Sequence, residues 1–348
     1  MAMVPYEQLL AFSSRLFSAT GLSEKHAEIS AGKLVEANIL GVDSHGVLRI
    51  PMYVKRLLSG AMKSKPELRV IKRNGAVSLL EADNAPGMIA GHEAMIEARD
   101  VAEKHQIGMC GVINSNHFGA AGVFARMAAD HNMIGISMTN VAPLMTMPGI
   151  PKPIVGNNPF AVAVPVKNGS PIVLDISLSN VALGKILLAE KKGEKIPNDW
   201  ATDTEGLPTT DPTEAVKGYL LPVAAHKGFG LALIIDLLCG VFTGGAFLHH
   251  LKGMYRYPKD PSVTAHMMIA IKADALMPID TFLDRVDEFK DMLASIPVKD
   301  KAVKVLWPGE PEAMTIEKRK AEGVPVPESV VGELNQLAAE LGIEARLV

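Results

Sequence analysis

Ile107-Gly108-Met109-Cys110-Gly111-Val112-Ile113, and then Ser115-Asn116-His117-Phe118-Gly119-Ala120-Ala121-Gly122, is the stretch on which the fold turns. The first seven residues read as a buried strand, and the small residues after them open a helix expected over about 120–130. In α/β sheets ligands gather beyond the carboxyl ends of strands. A histidine there, among residues too small to crowd a ligand, is placed to trade a proton near neutral pH. The structural alternative is a helix-capping loop in which His117 only hydrogen-bonds the backbone.

Outward from this stretch, the pattern predicts strands at Ile134–Met138, Phe160–Val166, Ile172–Ile176 and His266–Ile271. Helices are expected over Met88–Lys104, after Ser179, over Phe229–Val241 and over Thr281–Ala294. Strands alternating with helices argue for an α/β domain. Leu68–Lys72 and Ala76–Glu81 flank Asn74-Gly75, the preferred pair for a type I′ hairpin. Lys191–Thr213 is polar and reads as a long surface excursion.

The first 60 residues read as three helices. Leu9, Phe12, Leu16 and Phe17 form an apolar stripe, Ser23 suits an N-cap, and Pro51 has to lie in the first turn of the third helix. From about Glu310 the chain is helical again and is expected to pack on the N-terminal helices. The organisation is therefore an N-terminal helical segment (1–65), an α/β domain (66–305) and C-terminal helices (306–348), with both chain ends forming one helical domain.

Of the 348 residues, 48% are hydrophobic and 21% charged, which supports a real core and excludes disorder as the dominant state. A net charge of −3 lacks the basic excess of a nucleic-acid binder. Two cysteines, Cys110 and Cys239, make no disulfide framework or zinc ligand set. Met1–Leu10 has no basic segment or long apolar run of a signal peptide, so a reducing cytoplasm is the expected location. Phe229–Leu248 is nearly long enough to span a bilayer, but it contains Asp236 and Gly240, Gly244 and Gly245. A helix buried on all sides in a water-soluble domain is the expectation, and no membrane partner.

Several other motifs could carry chemistry. The nearest match to a dinucleotide fingerprint is Gly228-Phe229-Gly230, with Leu233 where a third glycine belongs. It opens a helix whose free N–H groups could hold an anion, with Lys227 just ahead; a tight turn beside a solvated lysine explains it as well. Asp43-Ser44-His45-Gly46 leads to Arg49 and Tyr53, and 45, 49 and 53 would share one face of a continuous helix. Imidazole, guanidinium and phenol suit a small acid, because arginine forks onto a carboxylate. The alternative pairs Arg49 with a surface carboxylate and puts Tyr53 in the core. Gly156-Asn157-Asn158-Pro159 reads as a structural turn, and Asp175-Ile176-Ser177 as a cleft edge or a helix cap. His249-His250 has no further ligand at metal spacing and reads as an exposed pair.

Taken in order and at these separations, the motifs at 43–53, 116–120, 156–159, 175 and 226–230 resemble the malate/L-lactate dehydrogenase family, which lacks a Rossmann fold. The resemblance runs from about residue 5 to the C-terminal helices and includes Pro308-Gly309. It implies an unusual mixed-sheet α/β domain that binds NAD(P), a homodimer, and hydride transfer between the nicotinamide and C2 of a small 2-hydroxy acid. It also implies roles for particular residues. His117 is the proton acceptor, His45 a second acid/base or orienting group, Arg49 the carboxylate anchor, and Ser44 and Tyr53 further substrate contacts. Asp175, Ile176, Ser177, His226, Lys227, Pro308, Gly309 and Glu310 match cofactor-contact positions. His226 departs from the Pro, Trp or Met often found before the motif lysine. NAD is the expected cofactor, with NADP as the other option, and no metal is expected. The rival readings are a reductase of cyclic imino acids, a non-catalytic nucleotide-binding protein, and a membrane protein built on Phe229–Leu248.

Overall fold

The computed structural model describes residues 1–300 and 302–347. Its N-terminal part comprises β1 (Ala2–Val4), α1 (Tyr6–Ser18), α2 (Glu24–Ile39) and α3 (Ile50–Leu58). Leu9, Phe12, Leu16 and Phe17 are all buried on α1, and Ser23 caps α2 by accepting from the His26 N–H at 3.3 Å. Pro51 sits in the first turn of α3, where its missing N–H costs no helical bond.

A seven-stranded mixed sheet follows. Its strands are β2 (Arg69–Asn74), β3 (Val77–Glu81), β4 (Ile107–Ser115), β5 (Met133–Thr139), β6 (Phe160–Val164), β7 (Ile172–Ile176) and β10 (Thr264–Lys272). Between β7 and β10 lie α6 (Leu183–Lys192), β8 (Ala201–Thr202), α7 (Pro212–Lys217), β9 (Tyr219–Leu220) and α8 (His226–Asp236). The order across the sheet is β2-β3-β4-β10-β5-β6-β7, with only β3 and β4 parallel. The late strand β10 thus lies at the centre, its His266 opposite Val112 and Thr139.

Helices α4 (Gly87–His105) and α5 (Gly122–Ala129) cover this sheet through two glycines. A Cβ at Gly108 would run into the Ala98 carbonyl, and one at Gly135 into the Ala125 carbonyl. The helices therefore press directly on the strands, and the small side chains of β4 and β5 become a packing requirement. The remaining elements are α9 (Ile279–Ala294), α10 (Glu310–Glu322), β11 (Val324–Val326) and α11 (Glu328–Glu340). Strand β11 pairs antiparallel with β1, Ala2 opposite Val326, while α10 packs on α2 and α11 on α3. The two chain ends therefore share one layer of core.

Three local expectations are corrected. The hairpin between β2 and β3 turns on Gly75-Ala76, with Asn74 paired to Val77, and of these residues only Gly75 has positive φ (57°). That is the II′ pattern, in which glycine takes the first central position, instead of I′ on Asn74-Gly75. The segment Lys191–Thr213 is not wholly a surface excursion: Ile196, Ala201 and Thr202 are buried, and β8 pairs with β9. The helix at Phe229–Val241 is not buried on all sides. Ala232, Ile235, Asp236 and Cys239 face inward, whereas Leu231, Ile234, Leu237, Leu238, Val241 and Phe242 are exposed. The helix also widens into a π turn over Leu237–Val241. No helix among the described residues is long and apolar enough to cross a membrane.

Candidate active site

His117 stands just past the carboxyl end of β4, and its backbone is held from several sides. The neighbouring Asn116 is buried and saturated. Its amide donates to Asn84 Oδ1 at 2.8 Å and to the Ala85 carbonyl at 3.0 Å, and its Oδ1 accepts from the Ser262 N–H and from Arg56. Gly87, at the start of α4, lies so close that a Cβ there would overlap the 116–117 backbone. On the strand itself, Ser115 Oγ lies 2.7 Å from His266 Nε2, whose ring stacks on Phe118 at 4.8 Å.

The imidazole of His117 has its Nδ1 engaged. Tyr53 Oη lies 2.6 Å away and the Gly119 N–H donates to it at 3.3 Å, which leaves Nε2 open to a ligand. The ring of His45 stacks on His117 with centroids 5.8 Å apart and planes 16° apart. Ser44 Oγ lies 2.9 Å from His45 Nδ1. Arg49 donates from Nε to the Ser44 carbonyl at 2.7 Å and rests over the Tyr255 ring, 5.6 Å from its centroid.

Residues 45, 49 and 53 do not lie on one continuous helix, contrary to the spacing argument. Asp43–His45 and Val47–Arg49 are two separate 3₁₀ turns, with Gly46 extended between them, ahead of α3. The break has an identifiable cause. The Asn38 side chain occupies the space a Cβ on Gly46 would need and accepts from the Val47 N–H at 2.8 Å. Asp43 is gripped by a forked ion pair from Arg319 of α10 and by the Asn38 amide. His45 and Tyr53 nevertheless meet His117, and Arg49 lies near enough to act on it electrostatically, because the kinked turns wrap the chain around it.

Burial is the main force on the ionisable groups. It holds the His117 pKa well below the ordinary imidazole value, with His45, Arg49, His266 and Arg56 adding positive charge in the same sense. Burial followed by the Arg49 charge lowers His45 to about 4. Tyr53, fully buried, is pushed upward and stays a neutral phenol. Both histidines are therefore uncharged at neutral pH beside a guanidinium that has no carboxylate partner among the described residues.

The second group of sequence-chosen residues meets at the edge of the sheet. Asp175 on β7 accepts from the Gly122 N–H at 2.7 Å. The Val173 N–H donates to the Pro308 carbonyl at 2.9 Å, laying Pro308-Gly309-Glu310 along the same strand. Gly309 takes φ 88°, and a Cβ there would sit 3.0 Å from the Val173 backbone. Ser177 accepts from the Asn157 amide at 2.8 Å, which gives the Gly156–Pro159 turn a structural task. Crowding by protein lifts the Asp175 carboxyl to about 6, opposed by the Gly122 hydrogen bond, although its outer edge still meets solvent. His226 and Lys227 are exposed at the start of α8, after Ala224 and Ala225 at φ 50° and 53°. The Val223 N–H donates to the Leu178 carbonyl, so this segment leaves from beside the end of β7. Gly122 begins α5 five residues after His117 and touches Asp175, so it joins the two groups.

This donor set fits a nicotinamide dinucleotide. It offers an exposed carboxylate edge, a hydroxyl, a lysine beside free helix N–H groups, and a glycine seat at Gly309 that no larger residue could share with Val173. His249 and His250 are exposed, and among the described residues no cluster of His, Cys, Asp and Glu could hold a metal. Sequence reasoning passed over Asn38, Arg319, Arg56, Tyr255 and His266. Only Arg56, one turn after Tyr53, and Asn38, five residues before Asp43, lie near the motif residues in sequence; Arg319, Tyr255 and His266 act through contacts remote in sequence.

Paired imidazoles beside a desolvated guanidinium, next to a sheet edge suited to a dinucleotide, define an acid/base oxidoreductase of small acids. The family model for malate/L-lactate dehydrogenase matches residues 4–335, and the chain belongs to that family. Malate dehydrogenase of Pyrococcus abyssi is 36% identical over 98% of this chain and 95% of its own length. The (2R)-3-sulfolactate dehydrogenase (NADP(+)) of Chromohalobacter salexigens is 31% identical over 97% of this chain and 98% of its own. Ureidoglycolate dehydrogenase (NAD(+)) of Escherichia coli K12 is 31% identical over 89% of this chain and 88% of its own. Among solved structures, sulfolactate dehydrogenase from Methanocaldococcus jannaschii superposes with a TM-score of 0.91 at 32% identity, covering 98% of both chains. The Δ1-piperideine-2-carboxylate reductase of Pseudomonas syringae gives 0.87 at 27% identity, over 97% of this chain and 100% of the other. The protein is an NAD(P)-dependent hydroxy-acid dehydrogenase with a mixed-sheet, non-Rossmann domain.

Proposed function

We propose that the protein interconverts a small 2-hydroxy acid and its 2-oxo acid, of the malate, lactate or ureidoglycolate type. His117 serves as the proton-transferring group and Arg49 as the carboxylate anchor. The observation that carries this reading is the convergence of Tyr53, His45 and Arg49 on His117, with Nε2 and the guanidinium fork left open. A bound nicotinamide supplies the hydride chemistry at C2, held by Asp175, Ile176, Ser177, His226, Lys227, Pro308, Gly309 and Glu310. In oxidation the ring is the Nδ1–H tautomer, donating to Tyr53 Oη in place of the Gly119 contact, and the hydroxyl proton passes to His117 Nε2 while C2 gives up its hydrogen with the electron pair and the carbonyl forms. In reduction the imidazolium returns that proton to the oxygen. Tyr53 can donate to Nδ1 or accept from it, so it follows either tautomer without moving. His45, uncharged and stacked, orients the ring and fills the side of the site that water would otherwise occupy. Ser44 fixes both His45 and Arg49, through its hydroxyl and its carbonyl.

NAD is the proposed cofactor, and the cytoplasm the proposed location. The helical unit built from 1–65 and 306–348 closes over the 66–305 domain, and a second copy covers the exposed apolar face of α8 to form a homodimer. The test is a panel of pyruvate, oxaloacetate, other 2-oxo acids and piperideine-2-carboxylate against NADH and NADPH. Turnover of 2-oxo acids supports the reading. Turnover of the cyclic imine alone transfers the assignment to imino-acid reduction, and nucleotide binding without any turnover removes the enzyme altogether.

A further inference from the structure

Arg56 is 1% exposed, yet all five of its hydrogen-bond partners are uncharged. Its Nη1 donates to the carbonyls of Tyr257 and Pro258 at 3.1 and 3.2 Å. Its Nη2 reaches the Asp260 carbonyl at 2.8 Å, and Asn116 Oδ1 and Ser262 Oγ at 3.1 Å each. Among the described residues no carboxylate bonds it, and Asp260 acts on it only at longer range; a buried charge held this way is an expensive means of stabilising a core, and an apolar side chain of similar volume is often neutral or better. What the guanidinium does here is geometric. It ties together three pieces of chain: α3, the residue preceding His117, and the loop 255–262, which also donates its Ser262 N–H to Asn116 Oδ1. That loop presents the Tyr255 ring on which the Arg49 guanidinium rests. Tyr53 and Arg56 lie one turn apart on α3, so one helix grips the His117 ring through the first and the side chain of the preceding Asn116 through the second.

We propose that Arg56 is a positioning residue for the acid clamp: by pinning the 257–260 backbone it sets Tyr255 beneath Arg49 and so fixes the direction of the carboxylate-binding fork. Arg56 touches no reacting atom and acts through the loop. The inference rests on the functional reading above. Because an anchor on the carboxylate holds ground state and transition state alike, its misplacement is felt in KM more than in kcat.

The experiment is a double-mutant cycle on the full-length enzyme, with Arg56→Lys and Tyr255→Leu made singly and together. Each is assayed with the 2-oxo acid the wild type turns over best, at saturating reduced cofactor. Either single change is expected to raise the KM for the acid about tenfold, with kcat within about threefold and the cofactor KM within about twofold. The double variant should be no worse than the worse single one. Additive effects, or a fall in kcat at unchanged KM, would overturn the proposal. Should Arg56→Lys fail to fold, the exposed Tyr255 tests the clamp alone. Tyr255→Phe should keep the wild-type KM where Tyr255→Leu does not, and an unchanged KM in Tyr255→Leu refutes the idea. A wild-type enzyme that turns over no 2-oxo acid strikes at the underlying function instead, and that result is obtained before any variant is made.

Discussion

Tyr53 Oη lies 2.6 Å from Nδ1 of His117, and the phenol is buried in the core of the helical layer. The proposed effect of this tyrosine on the reaction passes through the ring it holds. Tyr53→Phe keeps the packing and deletes one hydrogen bond of ~1 kcal/mol, which corresponds to a kcat loss of about fivefold. His117→Ala removes the acid/base itself and should lower kcat by about 10²–10⁴. Cofactor affinity, measured by fluorescence titration, should stay at the wild-type value in both. A Tyr53→Phe variant as damaged as His117→Ala would make the tyrosine a chemical participant and contradict the orienting role.

Arg49→Lys retains the charge but cannot fork onto a carboxylate or lie flat on Tyr255. The loss of one charge-assisted bond predicts a KM for the acid raised by about 10–100-fold. Steady-state kinetics with the best substrate check it, and an unaltered KM rules out Arg49 as the anchor.

Much of this site was legible in the sequence because its chemical residues sit in short local motifs at the ends of strands and helices. His117 follows an apolar strand, and His45, Arg49 and Tyr53 share eleven residues with Asp43. The route by which they converge was not legible. The kink at Gly46 comes from Asn38 on the preceding helix and from Arg319, 276 residues beyond Asp43, and neither leaves a mark on the spacing of 45, 49 and 53. Hydropathy failed at α8 for a related reason. An apolar run reads the same whether its neighbours belong to its own chain or not, so burial on all sides was inferred where one face is open.

The depressed imidazoles set the pH dependence of catalysis. Burial first, and then the neighbouring positive groups, keep His117 neutral below its ordinary 6.5. Oxidation needs the neutral base, so its kcat/KM should hold as pH falls through 6.5 and decline only further down. Reduction needs the imidazolium and should accelerate continuously with acid over the same range. A midpoint at 6.5 in the oxidation profile of the free enzyme would show that the ring is not desolvated.

The same shifts fix the sign of the stability curve. His45 and His92 are lowered to about 4 and His266 to about 3, in each case chiefly by burial. Below 6.5 the unfolded chain therefore takes up protons that the folded one refuses, and stability falls as pH drops toward 4. Asp175, raised to about 6 by burial, and Asp236, raised for the same reason, act oppositely: the folded state binds their protons more tightly, so they favour folding on acidification. The histidines outnumber them, and Asp175 is discounted further by its solvent-exposed edge. Urea midpoints should thus decline from pH 7 to pH 5, and a flat or rising series would mean that the histidines are not buried neutral.

Gly122 tests the link between the two halves of the site. An alanine Cβ there would stand 2.8 Å from Asp175 Oδ2, too close to coexist with the 2.7 Å bond from the Gly122 N–H. Gly122→Ala should push the carboxylate away and raise the cofactor KM about tenfold, as expected for losing a hydrogen bond to a charged group, with the KM for the acid unchanged. Equal rises in both constants would place Asp175 outside the cofactor site.

The open face of α8 gives the last expectation. Ile234 and Phe242 are 51% and 64% exposed, and with Leu231, Leu237, Leu238 and Val241 they form one contiguous helical stripe. Apolar patches of this kind on a single chain mark association surfaces, and a two-fold axis lets the same stripe cover itself. Sedimentation should find the wild type dimeric at micromolar concentration. Phe242→Glu should be folded but monomeric, since a carboxylate within such a contact is buried unpaired in the dimer and solvated in the monomer. A dimer that persists in Phe242→Glu, or a monomeric wild type, places the partner surface elsewhere.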